Sequence, residues 1–192
     1  AILISGNTFQ RIKDMMDIAK IKFFSAETFY RIQKKYLLPA IHKVYCTHKF
    51  FRFARYSDAN KALDLTGDGR CDSPGCSAKY GTYTIMEYSS GEILDAHVVH
   101  VGQVANSSRM EKEGLLKLIQ RVENEGLKID SLTTDRHSQI KKHLREKRKD
   151  IKHQHDVWHV GKNIKKKLTK AAKTKINSDL QPWIKAIINH FW

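Results

Sequence analysis

A chain of 192 residues with 41% hydrophobic content is one ordinary domain, or one domain with a small appendage, with a real core and not a disordered tail. Its net charge of +15 points to a polyanionic partner. No apolar run reaches the roughly 18 residues of a membrane-spanning helix, no signal-peptide pattern opens the chain, and three cysteines suit a reducing compartment better than a disulfide-stapled secreted domain.

Along the chain, Phe9, Ile12, Met16 and Ala19 fall at helical spacing over residues 7–19, with Asn7 or Thr8 as cap. After a short break, Ser25 caps a second predicted helix from Ala26 to about Tyr36, with Phe29 and Ile32 inward. Pro39 suits the first turn of a third helix, which carries Ile41, Val44, Tyr45 and Phe51. The first two helices resemble a helix-turn-helix, whose second member would offer Arg31, Gln33, Lys34 and Lys35 to DNA. A small packing bundle gives the same pattern. Residues 1–56 are therefore expected to form a helical region.

The texture changes from about residue 57. Leu63 and Leu65 alternate with polar positions up to Asp68, which reads as a strand. Gly69 to Gly75 is turn-rich. Gly81–Tyr88 and Ile93–Val101 read as a hairpin about Ser89-Ser90-Gly91. Ser108 and Glu111 fit a capping box, and the helix they open carries Met110, Leu115, Leu118, Ile119 and Val122 to a stop at Gly126. Leu127–Thr134 is a short predicted strand ending at Asp135. A helix with Ile140 and Leu144 follows, then a strand over Ile151–Val157. A long helix shows Val160, Ile164, Leu168 and Ala171, and Pro182 starts a last one with Trp183, Ile184, Ile187 and Ile188.

Three strands, then helix, strand, helix, strand, helix, predict an α/β fold: a mixed sheet with flanking helices in the ribonuclease H-like connectivity. The core is expected over residues 57–175 and the start of a helical insertion over 176–192. Because the chain opens without Met and stops after an apolar helical stretch, it is expected to be part of a longer protein.

In that connectivity the ends of the first and fourth strands meet. Asp68 and Asp135 occupy them. Nucleic-acid phosphoryl transfer uses hard carboxylate ligands for Mg²⁺ or Mn²⁺, so this pair is the candidate metal and catalytic site. Asp72, and less so Asp64, are alternatives to Asp68, and either aspartate could be a simple turn residue. His153, His155, Asp156 and His159 cluster in sequence, but Cys46, Cys71 and Cys76 supply no zinc spacing. A hydrogen-bonded brace at the strand–helix junction is the expected role of Asp156 and His159.

The charge is concentrated at the two ends. Residues 1–60 carry 11 Lys/Arg against 4 Asp/Glu, residues 61–135 carry 8 against 12, and residues 136–192 carry 16 against 4. Lys162, Lys165, Lys166, Lys167, Lys170 and Lys173 are candidate DNA-backbone contacts, or else a solvated helix face or a nuclear import signal. No basic helix faced with Trp, Phe and Leu suggests a membrane surface.

Three stretches carry a family resemblance over about residues 60–192. Asp68–Gly81 (DGRCDSPGCSAKYG) fits D-G-x5-G-x-S-x3-G. Leu132–His137 (LTTDRH) surrounds the second acid. Asp156-x-x-His159 resembles a C/D-x-x-H motif. The chain resembles eukaryotic cut-and-paste DNA transposases of the DDE/D type, in the Kolobok and Mutator-like group, and host proteins derived from them. The resemblance implies a nuclear, DNA-binding transposase, homo-oligomeric in the complete protein, with Mg²⁺- or Mn²⁺-dependent DNA cleavage and strand transfer at Asp68 and Asp135. The alternatives are a non-catalytic, host-adopted DNA-binding or assembly protein of the same fold and a ribonuclease H-type RNA nuclease. Two positions depart from the pattern. After Asp135 the acids are Glu146, Asp150, Asp156 and Asp179, none placed as the family's late third acid, which is expected beyond Trp192 or lost. Cys76 stands where the pattern often has His.

Overall fold

The computed structural model describes residues 2–74 and 77–191. The position of Cys76 lies outside the described residues. Two compact units, Ala1–Phe51 and Arg52–Trp192, make up the chain.

In the first unit, helix α1 (Phe9–Ile18) is capped by Thr8, whose side chain accepts from the Arg11 amide. Helix α2 (Ala26–Ile32) is capped by Ser25, which accepts from the Thr28 amide. Phe9 is buried, with Phe23, Phe24, Phe29 and Tyr30 around it. The expected break between the second and third helices is not there. A π-helical segment, Gln33–Leu37, runs straight into helix α3 (Leu38–Asp58). The wide π turn ends two residues before Pro39, which removes a donor and crowds the carbonyl four residues back. Arg31 therefore lies in the last turn of α2, while Lys34 and Lys35 lie in the π segment, not on one regular recognition helix. Ile32, Ile41, Val44, Tyr45 and Phe51 are exposed rather than inward.

The second unit is built on a five-stranded sheet in the order β3-β2-β1-β4-β5. Its strands are β1 (Leu63–Cys71), β2 (Tyr80–Glu87), β3 (Ile93–His100), β4 (Ile129–Thr134) and β5 (Lys152–His155). The β1–β2 and β2–β3 pairs are antiparallel; β1–β4 and β4–β5 are parallel. This is the expected mixed α/β sheet, consistent with a ribonuclease H-like arrangement. Helices α4 (Met110–Asn124) and α5 (Ser138–Lys147) cover one face. Leu65, Ile85, Leu94 and Leu132 from the sheet meet Leu115, Leu118, Val122, Ile140 and Leu144 in one buried core. At alternate positions Asp64, Thr66, Thr84 and Thr133 are only half-buried, the period-2 pattern of a sheet with one wet face. Gly126 stops α4 with a positive φ of 76°, which glycine adopts without strain.

Three boundaries differ from the sequence reading. Strand β1 continues past Asp68 to Cys71, because Gly69, Arg70 and Cys71 stay paired with Tyr83, Thr82 and Gly81. Strand β5 is short, and Val157 already opens helix α6 (Val157–Ala171). Pro182 lies inside a 3₁₀ segment, Lys175–Trp183, ahead of helix α7 (Ile184–Phe191); Ile184 is buried there, whereas Trp183 is exposed.

Helix α4 reaches the sheet at Gly114, where an added Cβ would sit 2.7 Å from the Tyr83 Cβ. Gly114→Ala is expected to lower stability by about 1–3 kcal/mol through overpacking, despite a helix-propensity gain of about 0.5–1 kcal/mol. Urea unfolding checks this; stability at or above wild type would mean that α4 is not seated on Tyr83.

Candidate functional site

The parallel register of β1 with β4 sets Gly67 opposite Thr134, and that of β4 with β5 sets Thr134 opposite His155. The next residue in each chain is acidic: Asp68, Asp135 and Asp156. Neighbouring strands run about 4.8 Å apart, so the three aspartates follow one another across the same edge of the sheet. Asp68 and Asp135, the two candidates from sequence, are thus adjacent. Asp68 Oδ1 accepts from the Gly69 amide at 2.8 Å, and Asp135 Oδ1 accepts from the His137 amide at 3.1 Å. Neither alternative shares this place. Asp72 accepts from the Lys79 amide at 3.1 Å and closes the β1–β2 connection. Asp64 lies four residues earlier and accepts from the Ser131 hydroxyl at 2.5 Å.

A fourth carboxyl reaches the same edge, and the sequence reading had given it another task. The capping box of Ser108 and Glu111 does not form. The Ser108 hydroxyl donates to Asn106 Oδ1 at 2.7 Å, and α4 begins with no side-chain cap. Glu111 instead turns toward the sheet, where its Oε2 lies 3.7 Å from His137 Nε2. His137 therefore links both groups, through its amide to Asp135 and through its ring to Glu111. An added Cβ on Gly69 would meet Glu111 Cγ at 2.7 Å, and one on Gly67 would meet the Tyr83 ring at 2.7 Å. Only a Gly-Asp-Gly strand lets both side chains lie against the backbone that presents Asp68.

The electrostatics follow from this crowding. Burial pushes the Glu111 carboxyl above its ordinary range; the His137 ring opposes the shift, and the charges of Asp135 and Asp68 add to it. Burial raises the Tyr83 phenol far above its usual value, with Asp135, Glu111 and Asp68 adding to it. Tyr83 is therefore a neutral hydroxyl facing the acids, and among the described residues its oxygen has no hydrogen-bond partner. Such a group suits a hard divalent cation: oxygen donors only, mutual repulsion that a cation relieves, and glycines that leave room. Among the described residues, however, no three His, Cys, Asp or Glu side chains already converge as an ion-binding set.

Behind this edge stands a histidine pair. Thr134 Oγ1 lies 2.8 Å from the Asp135 carbonyl and 2.9 Å from His153 Nε2. Both contacts are satisfied when the hydroxyl donates to the carbonyl and His153 donates from Nε2. Burial holds the His153 and His155 rings below the usual imidazole value, so the neutral form is favoured. Asp156 ties the junction together. Its amide donates to the Thr134 carbonyl at 2.9 Å, and its carboxylate caps α6 by accepting from the Trp158 amide at 2.8 Å. His159 meets Asp156 across 3.8 Å and stacks edge-on against Trp158.

On α6, Lys162, Lys166 and Lys170 are exposed and recur every fourth residue on one face, opposite Ile164 and Leu168. Lys165 flanks that stripe and Lys167 lies nearer the apolar side. Lys173 follows the helix end and is exposed. The Lys162 ammonium sits 4.6 Å from the centre of the Trp158 ring.

Asp156→Ala is expected to cost about 1 kcal/mol through loss of the cap, and Asp156→Asn to be near neutral. His159→Ala, which removes only a long ion pair and a ring contact, is expected to lower the melting temperature less. Thermal melts of the three variants check the order. A collapse of the wild-type melt in chelator would instead mark a structural zinc site.

Residues 103–190 match the family model of the Mutator-like transposases. No curated protein matches the chain. The matched segment begins after β3, runs through α4, β4, α5, β5 and α6 into α7, and contains Glu111, Asp135, Asp156 and His159. It supports a Mutator-like transposase relationship and a transposase-related function.

Proposed function

We propose that the chain carries the metal-dependent phosphoryl-transfer site of a DNA transposase of the DDE/D type, working on DNA in the nucleus and, in the complete protein, as a homo-oligomer. The observation that carries this reading is the placement of Asp68 beside Asp135 by the β1–β4 register, with Asp135 inside the segment that matches the Mutator-like transposases.

Asp68 and Asp135 would hold Mg²⁺ or Mn²⁺. The cation supplies Lewis-acid stabilisation for attack on a phosphodiester. The chain's own residues do the rest. The His137 amide orients the Asp135 carboxylate, the Gly69 amide orients that of Asp68, and Asp156 fixes the turn from β5 into α6. The Lys162, Lys166 and Lys170 stripe, with Lys165, Lys167 and Lys173, offers positive charge to the sugar–phosphate backbone, which positions DNA without reading its sequence. Arg31, Lys34 and Lys35 are exposed in the N-terminal unit and add a second basic surface.

One observation favours the non-catalytic alternative, a DNA-binding or assembly protein of the same fold. Among the described residues no three ligand-type side chains are drawn together. Nicking of supercoiled DNA separates the two readings. A transposase site gives Mn²⁺-dependent nicks that disappear in Asp68→Asn and Asp135→Asn. Binding without nicking supports the alternative, and nicking that survives Asp135→Asn contradicts the site.

Affinity should be chiefly electrostatic. The log of the binding constant should fall with log salt by about 0.9 per phosphate neutralised. Changing Lys162, Lys166 and Lys170 together to Gln should make that slope shallower, equally for unrelated sequences. An unchanged slope would show that the stripe faces away from DNA.

A further inference from the structure

Helices α4 and α5 leave the carboxylate edge side by side. In the first turn of α4, Glu111 lies against Gly69, the residue after Asp68. Helix α5 opens at Ser138, three residues after Asp135. The His137 ring joins the two starts through Glu111 at 3.7 Å. At the far ends Arg148 pairs with Glu123 of α4 and with Asp150. Between the helices runs a cleft of about 420 Å³. Arg109 and Lys112 stand on its α4 wall, and Gln139, Lys142, His143 and Lys147 on its α5 wall.

The two ends of this helix pair differ in charge balance. Arg148 has two carboxylates. Arg109, Lys112, Lys142 and Lys147 make no ion pair among the described residues. The one acid on the cleft wall, Glu146, lies 3.6 Å from Arg145. His143 registers the crowding. Burial holds its ring below the usual imidazole value, and Lys112, Arg148 and Lys147 lower it further, with Glu146 opposing. A cleft walled by one sign of charge focuses the field and concentrates counter-ions. Its ligand is therefore an anion, and its shape says which kind. Packed helices lie about 8–10 Å apart, so the cleft admits one sugar–phosphate chain and not the full width of a duplex. Lys142 and Lys147 are about 7.5 Å apart along the α5 axis, the length of roughly two nucleotide steps at about 3.4 Å each. The cations are thus spaced for consecutive phosphates, and the cleft starts where the carboxylates are.

We propose that the cleft between α4 and α5 is a second phosphate-binding surface, separate from the α6 stripe, which holds the backbone of one nucleic-acid strand as it leaves the carboxylate edge. The proposal rests on the reading of the chain as DNA-binding and not on any bound cation. The two basic surfaces begin at different places along the row of acids. The cleft opens beside Asp135, and α6 starts at Asp156. DNA held by both is fixed across the edge rather than tethered at one side of it.

The test is fluorescence anisotropy of a labelled DNA duplex with the 192-residue chain, in EDTA, across a range of salt concentrations. Changing Lys112, Lys142 and Lys147 together to Gln should make the slope of log binding constant against log salt shallower by about 0.9 for each phosphate released, up to roughly 2.7. Changing Lys61, Lys128 and Lys149 to Gln removes the same charge at exposed positions just before β1, β4 and β5, at the opposite edge of the sheet, and should alter the slope by less than one such step. The losses from the cleft and from the α6 stripe should add when the two sets are combined. Lys142→Glu alone, at an exposed position, should shift the slope in the same direction and decides the matter if the triple variant does not fold. An unchanged slope in the folded cleft variants, with the α6 variant still shallower, overturns the cleft and leaves the DNA-binding reading standing. An equal loss in the opposite-edge variant means that only overall charge is felt and also overturns it. Displacement of the duplex by inorganic tripolyphosphate, or by poly-glutamate, at equal charge concentration would assign the cleft to a compact oligophosphate or an acidic polypeptide and overturn the strand. No DNA binding by wild type overturns both the proposal and the reading beneath it.

Discussion

The site depends on the parallel pairing of β1 with β4. One strand is laid down early in the unit and the other after a hairpin and a helix, and only their register brings Asp68 beside Asp135. Leu65 opposite Leu132, both buried, holds that register. A slip of β4 by one residue would turn Leu132 to the wet face. The core that α4 and α5 build on these leucines is therefore also what aligns the acids. Thr134 and the Asp156 amide extend the alignment to β5 and fix where α6 begins.

Glycine does the second part of the work. Gly67 and Gly69 flank Asp68 where β1, paired with both β2 and β4 as far as Gly67, continues along β2 alone. Glycine weakens a strand, so its presence here marks a close approach by other groups. The Tyr83 ring fills one gap and the Glu111 side chain the other. Gly114 repeats the device on the helix side, letting α4 down onto Tyr83. Strand, ring and helix are thus packed so that a phenol and a carboxyl, neither saturated by protein partners, lie next to the aspartates.

Much of this was legible in the sequence where one signal dominated. The 3.6-residue spacing of Met110, Leu115, Leu118, Ile119 and Val122, closed by Gly126, marks α4, and all five side chains are buried. The hairpin around Gly91 and the meander followed by helix–strand alternation give the sheet order. What was not legible came from tertiary competition. The Gly69–Cys71 stretch has turn composition, but pairing with β2 keeps it extended. Ser108 and Glu111 have the spacing of a capping box, yet His137 and Asn106, distant or local, offer each a better partner. Pro39 reads as a helix start, whereas the π segment before it lets the helix run on. Asp68 and Asp135 could be singled out because the fold brings strand ends together; Glu111 could not, because nothing in its local sequence separates a cap residue from one facing a site.

The central claim is that the carboxylates at the β1–β4 edge gather one divalent cation. Anomalous diffraction from crystals soaked in Mn²⁺ tests it most directly. The account predicts a manganese peak between the carboxylates of Asp68 and Asp135. An empty edge with manganese bound elsewhere, at Asp72 or at the His153–His155 pair, would contradict it.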